Sequence, residues 1–231
     1  MQHPYDQPQF YGRRRGRKLR PAQDAALQNE MANYGITDAM LTPPPIDPRQ
    51  WFDGYVDRLC LEIGFGGGEH LAARAAKSPQ TGFIGAEPFI NGVASLCRHI
   101  AEQKLNNIRI WSDDIRLLLP RLEHHCLQAV YILFPDPWPK QRHQARRILQ
   151  PEMLDMLAQR ICSGGELLLA SDDPTAKSWL LANSIRHDSF VWQAESAADW
   201  RTPPDDWPGT RYMRKAEKQG RKSAWFRFSR V

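Results

Sequence analysis

The residues best placed to do chemistry lie in Phe134-Pro135-Asp136-Pro137-Trp138-Pro139-Lys140, an aspartate set between two prolines. Each proline removes an amide donor, fixes its own φ and restricts the residue before it, so the turn is stiff and the carboxylate is held in place. The turn follows Val130-Tyr-Ile-Leu-Phe134, an apolar run that reads as a buried strand. It leads into a basic run containing Lys140, Arg142, His143, Arg146 and Arg147. An acid delivered to a strand end beside clustered cations suits a reactive site that grips a polyanion.

A second constellation precedes it. Leu61-Glu62-Ile63-Gly64-Phe65-Gly66-Gly67-Gly68 sits where a strand turns into a helix, and Glu87 ends the next strand. Glycines there allow a tight turn and close approach of a ligand to the backbone, and an acid after the second strand suits ribose hydroxyls. Dinucleotide sites set free amides against a pyrophosphate, which Glu62 would repel. A cationic ligand fits better. S-adenosylmethionine carries an ammonium group, a sulfonium and a ribose with both hydroxyls, and Asp113-Asp114 after the third strand would accept from its adenine amine. An NAD-dependent oxidoreductase is the competing reading, disfavoured by Glu62 and by the lack of a clear hydride-transfer acid or base.

These residues need a scaffold that brings several strand ends together. Apolar runs predict strands at Arg58 to Ile63, Gly82 to Glu87, Ile108 to Ser112, Gln128 to Phe134 and Glu166 to Ala170. Helical patterns lie between them, including one from about Pro151 to Ile161 that ends in a Gly164-Gly165 turn, and Asp173 caps another with Pro174 at its first position. Such alternation predicts an α/β fold, a doubly wound and mostly parallel sheet. Two late strands, Phe190 to Glu195 and Ala224 to Ser229, break the rhythm around a long loop without a clear helix; loops of that length are usually functional. Leu27, Met31 and Tyr34 recur at helical spacing, which places a short helix on the domain.

The organisation along the chain is therefore a basic arm over residues 1–20, expected to be disordered alone, a helix and linker over 21–54, and a catalytic domain over 55–231. Charge follows this division. Residues 1–20 carry +5, 138–148 carry +4 and 209–231 carry +7 within a chain of net +5, so the remainder carries −11. An acidic body with three concentrated basic segments points to localised polyanion contacts. Cys60, Cys97, Cys126 and Cys162 are scattered without metal-ligand spacing, so buried reduced thiols are expected rather than a metal site or disulfides. No apolar run is long enough for a membrane helix and no signal region opens the chain, which predicts a soluble, cytoplasmic protein.

Gly64-Phe-Gly-Gly-Gly68, Phe134-Pro-Asp-Pro-Trp138-Pro-Lys140-Gln-Arg142-His143 with Arg146-Arg147-Ile148, Ser171-Asp172, and Gly209-Thr210-Arg211-Tyr212 with Gly220 resemble the bacterial tRNA (guanine-N7)-methyltransferase family from about residue 55 onward. The segment around Asp136 is the most specific part, since many methyltransferases share a glycine-rich first turn. The resemblance implies a seven-stranded Rossmann-like methyltransferase sheet with an antiparallel last strand. It also implies methylation of guanine N7 in tRNA, at position 46 in the variable loop, by a monomer or homodimer. It assigns Glu62, Gly64, Gly66, Gly68, Glu87, Asp114 and Asp136 to S-adenosylmethionine, with Asp136 also at the active site. Lys140, Asp172, Thr210, Arg211, Tyr212 and Met213 then meet the tRNA; Arg142 joins them by its charge, and His143 either contacts the RNA or caps the following helix. Met213 departs from the family, which usually has glutamate there; an RNA-binding protein with reduced or no catalysis is the alternative this raises.

Guanine N7 has a lone pair and no proton, so methyl transfer to it needs no general base. Asp136 would either stabilise the cationic product or accept from guanine N1 and N2. Lys140, Arg142, Arg146 and Arg147 would hold phosphates, and Trp138, Trp200 and Trp207 would either stack on an exposed base or pack within their own loops. The phosphate assignment predicts tRNA affinity that falls steeply as salt rises, measured by filter binding across a salt series; a flat response would contradict it.

Overall fold

The computed structural model describes residues 10–205, 207, 208, 213 and 218–231. Among the described residues seven strands build one sheet: β1 (Arg58–Ile63), β2 (Thr81–Ala86), β3 (Ile108–Trp111), β4 (Leu127–Leu133), β5 (Ile161–Ser171), β6 (Phe190–Trp192) and β7 (Ala224–Arg230). Their order is β3-β2-β1-β4-β5-β7-β6. The first five pair in parallel, and β7 inserts antiparallel between β5 and β6. The expected mostly parallel sheet with an antiparallel last strand is therefore present.

Helices α1 (Pro21–Tyr34), α2 (Glu69–Lys77), α3 (Ile90–Gln103), α5 (Pro151–Arg160) and α6 (Pro174–Ile185) connect or cover the strands, with short α4 (Ile115–Leu118) and α7 (Ala198–Arg201). Side chains alternate across a strand, so one run can feed two cores. In β1, Leu59, Leu61 and Ile63 enter one apolar cluster while Cys60 enters the other. Burial on both faces explains why the central strands read as continuous apolar runs rather than alternating ones. Leu27, Met31 and Tyr34 of α1 pack on the second cluster, the placement their spacing predicts.

The Gly164-Gly165 pair does not form the expected turn. β5 starts at Ile161 and runs through both glycines, and its register against β4 jumps from Leu127↔Ile161 to Ala129↔Glu166. Gly164 takes φ 73° there, so the pair absorbs extra residues as an irregularity in a strand. The long late loop also contains a helix, α7, whose Trp200 packs against Phe226 of β7.

Residues 10–20 of the basic arm lie across the start of α3. The Ile90 amide donates to the Arg14 carbonyl at 3.0 Å, Gly16 N–H donates to Asn91 Oδ1 at 2.8 Å, and Asn91 Nδ2 donates to the Arg17 carbonyl at 2.7 Å. Arg14 also pairs with Asp113 at 2.7 Å.

All four cysteines are free thiols; burial raises Cys60 to about 11 and Cys97 and Cys126 to about 12, so these three are inert. Among the described residues no group of three His, Cys, Asp or Glu side chains could hold a metal ion, and no helix is long and apolar enough to cross a membrane.

Candidate active site

Strand order reverses at β1, which has β2 on one side and β4 on the other. In an open parallel sheet such a switch point leaves a crevice at the carboxyl ends of the flanking strands. The glycine turn after β1 and the Asp136 turn after β4 border that crevice. Glu62, Gly64, Phe65, Glu69, His70, Leu133 and Phe134 line a hollow there.

Gly64, Gly66 and Gly68 have φ of 72°, 56° and 79°, a region that side chains disfavour. A Cβ on Gly64 would meet nothing within 4 Å, so its backbone is open to a ligand. The other end of the loop is pressed tightly by α3. A Cβ on Gly92 would lie 2.3 Å from the Gly66 carbonyl oxygen, and one on Gly68 2.8 Å from Leu96.

Each carboxylate around this loop is held differently. Glu62 is only 2% exposed, and its Oε2 lies 2.7 Å from Nδ1 of the buried His70 in the first turn of α2. His70 in turn meets the edge of Tyr131 and lies 4.9 Å from the Trp207 ring. Glu87 accepts hydrogen bonds from the Gly66 amide at 2.9 Å and the Phe89 amide at 3.0 Å. Burial raises its carboxyl above the usual range, the Phe89 and Gly66 bonds oppose that, and the charges of Asp136 and then Glu62 raise it further. Three carboxylates thus share one neighbourhood. Lone pairs remain on Glu87 after the two backbone bonds, so it ties down the loop and keeps acceptor capacity for a ligand.

Asp114 is buried at 4% exposure and starts α4, accepting from the Arg116 amide at 2.9 Å. Both of its oxygens also accept from the Arg116 guanidinium. Asp113 is the outer of the pair and carries the Arg14 ion pair.

The Asp136 turn is stiffer than its prolines alone require. Phe134 and Trp138 on either side of it have φ of 50° and 41°. Such non-glycine geometry costs about 1–3 kcal/mol per residue and persists only where surrounding contacts over-determine it. Asp136 itself is exposed.

On the basic side, Lys140 and Arg142 are exposed. Arg146 lies between rings, 5.1 Å from the centroids of both Tyr11 and Trp138, so the arm reaches this run too. Trp138 also meets the edge of His143. Desolvation, then the charges of Arg146, Arg142 and Lys140, lower the His143 imidazole. Asp172 pairs with Arg221 at 2.8 Å. Met213 packs half-buried on the second apolar cluster, whereas Thr210, Arg211 and Tyr212 lie outside the described residues.

Trp200 and Trp207 take the packing alternative. Trp200 contacts Phe226, and Trp207 fits between His70 and Trp225. His70 and Gly92 were not singled out by pattern. The signal for His70 was an ionisable residue on the buried side of α2, beside Leu71 and Ala72; for Gly92, a glycine in the first turn of a helix that crosses a glycine loop.

The donor set fits S-adenosylmethionine: carboxylates around an open glycine backbone supply both acceptors for ribose and negative potential for a cation. Glu62, Glu87 and the loop from Gly64 to Gly68 would hold it, with Asp136 beside the methyl group rather than gripping the cofactor. The one acid with little spare capacity is Asp114, which would have to share its lone pairs with Arg116.

A methyltransferase family model, described as "Putative methyltransferase", matches residues 57–225. A tRNA (guanine-N(7)-)-methyltransferase from Rhodospirillum rubrum is 45% identical over 98% of this chain and 89% of its own length. One from Agrobacterium fabrum is 43% identical over 96% of this chain and 94% of its own. The likeness therefore extends well before residue 55. Among solved structures, an rRNA methylase from Streptococcus thermophilus superposes with TM-score 0.53 at 12% identity, covering 77% of this chain and 89% of that one. A Streptococcus mutans protein, SMU.1697c, solved with SAH, superposes with TM-score 0.51 at 9% identity, covering 88% and 97%. These two likenesses carry the fold.

The raised Glu87 carboxyl sets a pH response. A ligand that needs Glu87 ionised binds less well as pH falls, and a raised carboxyl protonates earlier in that descent. Calorimetric affinity for S-adenosylmethionine is expected to decline on acidification above the ordinary carboxylate range, and Glu87→Gln to flatten that decline. An unchanged profile in the variant would remove Glu87 from the site.

Proposed function

Since the chain belongs to the tRNA (guanine-N7)-methyltransferase family, we propose that it methylates N7 of a guanine in tRNA, position 46 of the variable loop, with S-adenosylmethionine as donor. The observation that carries this reading is an open glycine turn at the sheet's switch point with Glu62 before it and Glu87 bonded to it, next to the Asp136 turn that ends the neighbouring β4 and the exposed basic run after it. When bound, S-adenosylmethionine supplies an electrophilic methyl group on a cationic sulfur.

The remaining work falls to the protein's own residues. N7 presents a lone pair and no proton, so catalysis reduces to alignment and exclusion of water. Glu62, held by His70, offers a fixed negative charge to the ammonium end. Glu87 offers acceptors to the ribose. Asp136 stands on the strained turn, where it either stabilises the positive charge growing on the base or accepts from guanine N1 and N2.

N7 lies on the major-groove edge, which side chains do not reach in a regular RNA helix, so the target guanine sits in a loop or is turned out. Lys140 and Arg142 face solvent and suit phosphates. Thr210, Arg211, Tyr212 and Met213, with Asp172 and His143, complete the proposed RNA side. The work is that of a cytoplasmic enzyme.

One departure supports a second reading. Met213 stands where the family usually has glutamate and packs on the apolar cluster, which favours an RNA-binding protein with reduced catalysis. Labelled methyl transfer to bulk tRNA, followed by mapping of the modified nucleotide, separates the two. The expected product is N7-methylguanine in the variable loop; tRNA retention with no transfer would establish the second reading. In the same assay Asp136→Asn is expected to lower single-turnover rate by roughly a hundredfold while calorimetric cofactor affinity stays largely intact. Equal loss of both would make Asp136 a cofactor contact only.

A further inference from the structure

The strained turn around Asp136 needs restraint at both ends, and the structure shows what supplies it. At one end the Phe134 amide donates to the Ala170 carbonyl of β5 at 2.7 Å. At the other, Arg147 directs two donors to the Trp138 carbonyl, Nη2 at 3.1 Å and Nε at 3.4 Å.

Arg147 is itself braced. Its guanidinium lies over the ring of Trp179 on α6, 4.5 Å from the centroid. Trp179 Nε1 donates to the Leu149 carbonyl at 2.7 Å, which fixes that ring. Gln150 Nε2 donates to the carbonyls of Arg147 at 2.9 Å and Gln144 at 2.7 Å, which fixes the backbone that bears the arginine. Arg147, Trp179 and Asp136 line the same small hollow behind the turn.

This geometry separates Arg147 from its neighbours in the basic run. Lys140 and Arg142 are exposed, and Arg146 stacks between the rings of Tyr11 and Trp138. Arg147 spends one flat face on a tryptophan and part of its donor fork on a backbone carbonyl. Its charge was expected to hold phosphate; its contacts point into the protein.

We propose that Arg147 is a positioning residue for methyl transfer: through the Trp138 carbonyl and its stack on Trp179 it holds the Asp136 turn in its strained working conformation. The kinetic part of this statement rests on the methyltransferase reading; the conformational part stands without it. Lysine is no substitute, because an ammonium group cannot both stack flat on indole and present a planar fork.

The test compares Arg147→Ala, Arg147→Lys and Trp179→Leu with the unmodified protein. Amide hydrogen exchange at Phe134, whose N–H is held by the Ala170 carbonyl, and at Asp136, Trp138 and Lys140, the other non-proline positions of the turn, is expected to quicken in all three. The turnover number is expected to fall at least tenfold with KM for tRNA within about twofold, and the slope of log affinity against log salt to stay unchanged. Loss of a phosphate contact would instead lower that slope by about one. A slope reduced in that way with exchange unaltered would overturn the proposal, as would an Arg147→Lys protein with wild-type exchange and turnover. If the unmodified protein transfers no methyl group to tRNA, the methyltransferase reading fails while the exchange comparison still decides whether Arg147 holds the turn.

Discussion

Two carboxylates, Glu62 and Glu87, are held at a single glycine turn beside the strand end that carries a third, Asp136, and much of the architecture follows from keeping them there. Glu87 is stabilised by two backbone amides, one of them from the glycine turn itself. Glu62 is lodged beside a buried imidazole. Asp136 is left in solvent but on a turn too rigid to swing away. Burial above all, with the nearby charges of Asp136 and Glu62 adding to it, raises the Glu87 carboxyl, and a ligand with positive charge offsets both effects on binding. The same arrangement repels phosphate, which separates this site from dinucleotide pockets built on a similar strand-turn-helix.

The acidic centre is bordered by cations, and the two are mechanically connected. β4 ends in the Asp136 turn, and the basic run begins four residues later at Lys140. Arg146 carries the connection outward to Tyr11 of the arm, and Arg14 of the arm pairs with Asp113 next to the acid that starts α4. Three basic segments stand apart in the sequence; in the fold two of them, the arm and the run after Asp136, touch one another through Tyr11 and Arg146.

The sheet was legible because its strands are short apolar runs punctuated by glycine and acids, and that punctuation coincides with the strand ends that form the crevice. What misled was local. Gly164-Gly165 has turn chemistry, yet the chain resumes the same strand after it, because β5 pairs with β4 at Ile161 and again from Glu166, where β7 joins as well. Within the site, Glu62, Glu87 and Asp136 could be placed from strand ends alone. His70 could not, because a histidine among apolar helix residues carries no mark of the carboxylate beside it. The division of labour within the basic run was equally hidden. Arg146 and Arg147 are adjacent and chemically identical, and only Trp138 and Trp179, thirty or more residues from one another, decide which of them turns inward.

Capture of a cationic cofactor by fixed carboxylates at the glycine turn is tested by calorimetric titration of the Glu62→Gln protein with S-adenosylmethionine, with circular dichroism and cooperative unfolding confirming that the variant is folded. Affinity is expected to weaken by at least tenfold, equivalent to about 1.4 kcal/mol. Affinity equal to that of the unmodified protein would contradict it.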